Sequence, residues 1–243
     1  MGALTAVLRP VFGSATGAGR ALLECDAAVR VPLPVCRRIG FVHLAPASGG
    51  STAAAGVATV LARRRTGAVL AVDASPSPRG LLPLLGAAPS PAVPSPAVPS
   101  PAVAGRRAPG TAAEARAGLA VAPSGCHALD LRPAGDWPGA VGPVARFFDA
   151  VVTDWGLRHP AYDLEPVLTT SHVVCLVVRS DDAAVHAATA LLHALRARPG
   201  TPPVVVAAAG GRFPAAVVGP GPQHFLRLAA ALMRPPGGDP RDR

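Results

Sequence analysis

The chain has 243 residues, carries 23 basic against 14 acidic side chains for a net charge of +9, and is half hydrophobic but only 4% aromatic. That length supports one domain with a substantial core, or at most two small ones. It holds no uninterrupted apolar run of about 18 residues, which excludes a transmembrane helix. The apolar part of the N-terminal MGALTAVLRPVF is too short for a secretory signal, so a cytoplasmic location is expected.

Every basic residue is arginine. The arginines occur in pairs or triplets, such as Arg37-Arg38 and Arg63-Arg64-Arg65, without interleaved aromatics, and this favours a solvated basic surface over a nucleic-acid site. Cys25, Cys36, Cys126 and Cys175 form no C-x-x-C pair, so neither a zinc knuckle nor a redox dithiol is available. Reduced thiols are expected, with Cys175 a small core residue inside an apolar strand.

In chain order, residues 1–37 show weak periodicity and several prolines, and read as an N-terminal arm. Within it, Gly13 to Arg20 is rich in small residues but follows no strand, so a loop is expected. Ile39 to Leu44 reads as a buried strand, Ala45 to Gly50 as a small-residue loop, and Ser51 to Arg65 as a helix. In that helix Ala53, Val57, Val60 and Leu61 share one face. Ala68 to Val72 is a second strand, ending at Asp73. Pro-Ser-Pro-Ala-Val then occurs three times in tandem, at 89–93, 94–98 and 99–103. Such a repeat favours polyproline II and cannot join a sheet, so 87–110 is expected to be a disordered surface insertion.

Order resumes at Thr111, whose spacing to Glu114 is that of a capping box. Further strands are expected at 150–153, 173–178 and 203–207. A helix from Asp181 to Arg198 carries Val185, Ala188, Leu192 and Leu195 on one stripe. A terminal helix follows around Phe225, Leu228, Ala229 and Leu232, and residues 235–243 form a tail. Apolar strands alternating with amphipathic helices imply an α/β fold, with a mostly parallel sheet covered by helices on both faces.

A buried strand, a small-residue loop and a helix opening with Ser-Thr is the context of a phosphate-binding loop. From Arg38 to Gly86 the order of motifs resembles the start of proteins in the MinD/ParA group of P-loop ATPases. Those proteins carry Lys-Gly-Gly-x-Gly-Lys-[Ser/Thr]-[Ser/Thr], then a helix and a strand ending in Asp-x-[Asp/Ser]-Pro. The stretch from Phe147 to Leu195 resembles the family's second acidic strand and the elements after it. The resemblance covers about Arg38 to Leu195 and implies a three-layer α/β/α domain over 38–234.

Residue by residue, the resemblance sets the family's two lysines on Ala45 and Gly50, and the two following glycines on Pro46 and Ala47. Gly49 keeps its glycine. Gly49, Gly50, Ser51 and Thr52 become the candidate nucleotide-binding residues. Ser51, Asp73 and Asp154 become candidate magnesium ligands, with Asp73 and Asp154 as vestigial catalytic carboxylates. The implied cofactor is ATP or ADP with magnesium, or none. Without lysine there is little fixed charge to stabilise the terminal phosphate, so weak or absent hydrolysis is expected. Arg79 and Arg158 are the nearest arginines that could swing in, and Ala207 to Gly211 offers no asparagine for the base. The implied role is a scaffold or positioning protein with protein partners, a homodimer or a peripheral membrane contact among them, accompanying a secretion, division or partition system.

Plainer readings stand beside these. Asp73 and Asp154 would serve as loop caps at strand ends, and Ser51 and Thr52 as helix caps. Trp155 reads either as a partner anchor or as a sheet-edge cover. His186 and His193 are surface residues two turns apart. An active ATPase with unorthodox cations is one alternative. A small-molecule enzyme on a Rossmann-like sheet is another, but Gly-x-Gly-x-x-Gly is missing after the first strand.

Overall fold

The computed structural model describes residues 15–77, 80–87, 108–132, 136–160, 163–209 and 222–234. The proline repeat, Arg79 and the tail from 235 lie outside the described residues.

Chain order runs α1 (Ala15–Arg30), β1 (Arg37–His43), α2 (Gly50–Arg64), β2 (Val69–Asp73) and α3 (Leu81–Leu85). Then come α4 (Ala112–Arg116), β3 (Ala120–Val121), β4 (His127–Asp130), α5 (Trp137–Ala145) and β5 (Ala150–Leu157). The chain ends with α6 (Glu165–Thr170), β6 (Val173–Arg179), α7 (Asp182–Ala197), β7 (Val204–Ala209) and α8 (Pro222–Met233). The seven strands form one sheet in the order β3-β4-β2-β5-β1-β6-β7, parallel except where β3 meets β4. The expected fold class is therefore the observed one.

Alternation along the strands sends successive side chains to opposite faces. Ile39, Phe41, Val69, Ala71, Ala150, Val152, Val173 and Cys175 pack with α1, α2, α3 and α8. Val42, Leu70, Val72, Val151, Val174 and Leu176 pack with α5, α6 and α7. Both faces are apolar because both are covered, which is why these strands read as continuous hydrophobic runs. Cys175 is fully buried, as expected, and burial pushes its thiol pKa far up.

Three expectations are corrected. Residues 15–30, placed within a loosely structured arm and partly in a loop, form α1, which packs on α8 and α2. Alanines and leucines carry this helix despite two internal glycines, because Val29 is fully buried and Arg65 reaches back to the carbonyls of Val29 and Val31 at 2.5 and 3.1 Å. Trp155 is neither an anchor nor an edge cover. It lies on β5, at the centre of the sheet, and is 2% exposed. Val185 leaves the buried stripe of α7, being 39% exposed while Ala188, Leu192 and Leu195 are covered.

The capping signals hold. Thr111 Oγ1 accepts the Glu114 N–H, while the Glu114 carboxylate turns back to the N–H of Gly110 at 2.7 Å. Asp181 caps α7 through the Ala184 N–H. No helix among the described residues is long and apolar enough to cross a membrane.

A candidate phosphate site at the carboxyl ends of the strands

The loop between β1 and α2 follows His43 and closes on itself, Ser48 Oγ donating to the Ala45 carbonyl at 2.6 Å. Two residues curl it. Gly49 has φ 79°, and Ala47 has φ 56°, in the left-handed region that disfavours a Cβ. A backbone shape that favours glycine is thus adopted at position 47 by alanine. Gly49 is the N-cap of α2 and no side chain caps the helix. The reading of Ser51 and Thr52 as caps is therefore overturned. The N–H groups of Gly50, Ser51 and Thr52 fall in the first turn, where helix geometry provides no acceptor, and the helix dipole adds partial positive charge there.

Period-two alternation brings acidic residues to this same face. Asp73 on β2 and Asp154 on β5 are register partners, and Asp130 on β4 is the partner of Asp73 on its other side. The row Asp130, Asp73, Asp154 thus crosses three adjacent strands beneath the start of α2. Asp130 escaped the sequence reading. Its short strand has no long apolar run, although the Asp-Leu-Arg that ends it was a usable signal.

The three carboxylates differ in what holds them. Asp130 takes a two-pronged contact from Arg132, at 2.8 and 2.6 Å, which holds its pKa below the usual range. Asp73 is fully buried, and its oxygens accept the N–H groups of Ser75 and Leu82 at 3.2 and 3.3 Å, with Arg132 4.0 Å away. Burial raises its pKa, the neighbouring Asp154 adding to the rise. Asp73 therefore does the work of a loop cap. Gly80 allows this close approach, since a Cβ there would overlap the Asp73 carboxyl.

Asp154 is also fully buried, and burial raises its pKa against the opposing pull of Ser51, the Gly156 N–H and Arg158. Its Oδ1 accepts the Gly156 N–H at 3.0 Å, while Oδ2 has no hydrogen-bond partner. A buried carboxylate with one oxygen unbonded, near enough to the Ser51 hydroxyl at a helix start for it to pull the pKa down, fits a magnesium ion. Magnesium commonly takes one or two carboxylates and completes its shell with phosphate and water. The described residues contain no group of three or more His, Cys, Asp or Glu able to enclose a metal alone. Ser51 and Asp154 would hold the ion together with a nucleotide, and Asp73 has its lone pairs directed elsewhere.

Among the described residues, the nearby Arg132 and Arg158 are committed. Arg158 donates to the carbonyls of Trp155 and Ala74 at 2.9 and 3.3 Å and lies over the Trp155 ring. Arg132 is held by Asp130 and donates to the Ser77 carbonyl. At Gly50, where the sequence resemblance sets a lysine, the space is taken. A Cβ there would overlap His43 Nδ1 and lie 3.1 and 3.3 Å from the ring's Cγ and Cε1. On the other face of the sheet, a cleft of about 330 Å³ opens between α5 and α6, lined by Trp137, Trp155, Arg158 and Glu165 among others.

No protein-family model and no curated protein matches the sequence. Among solved structures the fold is similar to a ParA family ATPase from Chlorobium tepidum TLS, with a TM-score of 0.54 and 15% identity over 80% of this chain and 81% of that one. It is also similar to a cobyrinic acid a,c-diamide synthase from Mycobacterium smegmatis with bound ATP analog and magnesium, with a TM-score of 0.46 and 18% identity over 81% of this chain and 82% of that one. What the chain shares with the ParA family ATPase is the fold, a mostly parallel α/β sheet with helices on both faces.

Proposed function

We propose that the chain is a ParA-like protein with a degenerate nucleotide site, acting as a positioning or scaffold protein rather than as an efficient ATPase. The observation that carries the reading is the pairing of Ser51 at the start of α2 with Asp154, whose Oδ2 is buried and unbonded, beside a loop that carries no cationic side chain. The first half of that observation supports binding of a magnesium–nucleotide. The second half argues against turnover, because cleavage needs fixed positive charge where the terminal phosphate develops it.

Magnitude separates the two. A hydrogen bond to a charged group contributes about 1.5–3 kcal/mol, so two absent lysines weaken phosphate binding by about a hundred- to ten-thousandfold relative to an intact loop. The alternative of an active ATPase with unorthodox cations loses support because Arg132 and Arg158 already serve carboxylates and carbonyls. Protein partners, a second copy of the chain and a membrane surface are the classes of contact such a positioning role needs.

Calorimetric titration of the full chain with Mg-ATP and Mg-ADP, with a phosphate-release assay alongside, tests the reading. Weak binding with negligible turnover is expected. Tight binding with sustained turnover would reject it.

A further inference from the structure

The sequence between the end of β1 and the first turn of α2, His-Leu-Ala-Pro-Ala-Ser-Gly-Gly-Ser-Thr, contains one side chain that can carry a positive charge, His43. It ends strand β1, and the tertiary structure gives it a particular position. Ile39 and Phe41 face the α2 side of the sheet, so strand alternation sends His43 to that side too. Its ring lies against Gly50, in the volume that the stem of a side chain at position 50 would have to enter. Nδ1 is inaccessible to water and has no hydrogen-bond partner, although a buried polar nitrogen ordinarily has one. The ring as a whole is only half-buried. Its backbone is fixed independently, the His43 carbonyl accepting the Arg158 N–H at 3.0 Å.

We propose that His43 is a phosphate-contacting residue of this site, its imidazole standing in for the missing lysine and Gly50 being the residue that makes room for it. The ligand class is the di- or triphosphate of a magnesium–nucleotide, so the inference rests on the reading of the site given above. Two independent features point to a ligand here. One is the uncapped first turn of a fifteen-residue helix, and the other is the fully buried Asp154, which interacts with Ser51 of that turn and keeps Oδ2 unbonded. An imidazole N–H is a donor even when uncharged, so it restores part of what the lysine supplied. The loss of lysine at Gly50 and the presence of His43 are then one change, since the two side chains cannot occupy the same space.

The test compares the full chain with His43→Ala and His43→Asn, each titrated with Mg-ADP and with inorganic tripolyphosphate plus magnesium, and with Asp154→Asn as a separate control. The expected result is a loss of about ten- to hundredfold in affinity for both ligands in His43→Ala. Partial recovery is expected in His43→Asn, which keeps a donor, together with a change in the His43 ring nitrogen resonances of the wild-type chain on adding ligand. If His43→Ala unfolds, the His43→Asn titration and the resonance change decide the matter. Binding of both ligands by the histidine variants as tightly as by wild type, with Asp154→Asn impaired, would overturn the role of His43 and leave the nucleotide site standing. Failure of the wild-type chain to bind either ligand would overturn both.

Discussion

Asp73 and Asp154 stand side by side as register partners on β2 and β5, both fully buried, yet only Asp154 keeps an oxygen without a partner. Asp73 spends both oxygens on backbone N–H groups of the following segment. Two aspartates that look equivalent at their strand ends therefore differ, one capping a loop and the other keeping an unbonded oxygen.

Asp154→Asn tests that division. The folded-state pKa of Asp154 is raised above its ordinary 3.8. The native state thus keeps a proton the unfolded chain has released, and stability falls as pH rises from about 4 through the folded value. The carboxylate is a burden at neutral pH, and Asp154→Asn is expected to stabilise the ligand-free protein there by about 1 kcal/mol. Asp26 and Asp130 are shifted the other way by arginines and are common to both proteins, so they cancel in the difference. Urea unfolding from pH 4 to 8 measures the effect, which includes the part Asp154 exerts through Asp73. Magnesium with nucleotide should stabilise the wild type and leave the variant unmoved. A variant with an unchanged pH slope would refute this account.

At Gly50, introducing the lysine that the resemblance sets there is not a simple change. A Cβ at that position overlaps His43 Nδ1, so Gly50→Lys alone should destabilise the fold by about 1–3 kcal/mol and gain little affinity. His43→Ser combined with Gly50→Lys removes the obstruction and should bind Mg-ADP at least about tenfold more tightly than the single variant. Mg-ADP titration with parallel thermal melts checks both. Full affinity from Gly50→Lys at unchanged stability would contradict the steric argument.

Gly56 lies within α2, where exchanging glycine for alanine ordinarily gains about 1 kcal/mol of helix propensity. Here a Cβ would meet the Phe225 ring of α8, a rigid neighbour. Gly56→Ala is expected to lose about 1–2 kcal/mol net, because overpacking outweighs propensity. A raised unfolding midpoint would show that α8 can move aside.

Arg65 joins three elements. Its side chain is 3% exposed, donates to Asp149 at 3.1 and 3.0 Å, and holds the carbonyls of Val29 and Val31 at the end of α1. Arg65→Met should cost about 3–5 kcal/mol, since it leaves a carboxylate and two carbonyls without their donor. Amide hydrogen exchange should then show α1 opening before the sheet does. Loss spread evenly over the fold would argue against a clasp.

Much of this was legible in the residues. The alternation of apolar strands with amphipathic helices specified the layers, since each element needs a covered face at its own period. The order of strand, small-residue loop and Ser-Thr located Gly49, Gly50, Ser51 and Thr52, and the structure does bring Asp154 to Ser51. The misses have physical causes. α1 contains glycines and a weak apolar stripe, and it is held by α8 and Arg65, which lie far off in the chain. β4 is four residues long, too short for its periodicity to register, so Asp130 was lost with it.

Sequence alone determined that Asp73 and Asp154 would lie near a helix start stripped of lysine, because strand period and motif order are local properties. Only the tertiary structure decided that Asp73 caps a loop, that Asp154 keeps a free oxygen, and that His43 fills the place of a side chain at Gly50. Those outcomes depend on register between distant strands and on which atoms compete for one small volume, and neither is written in any single stretch of the chain.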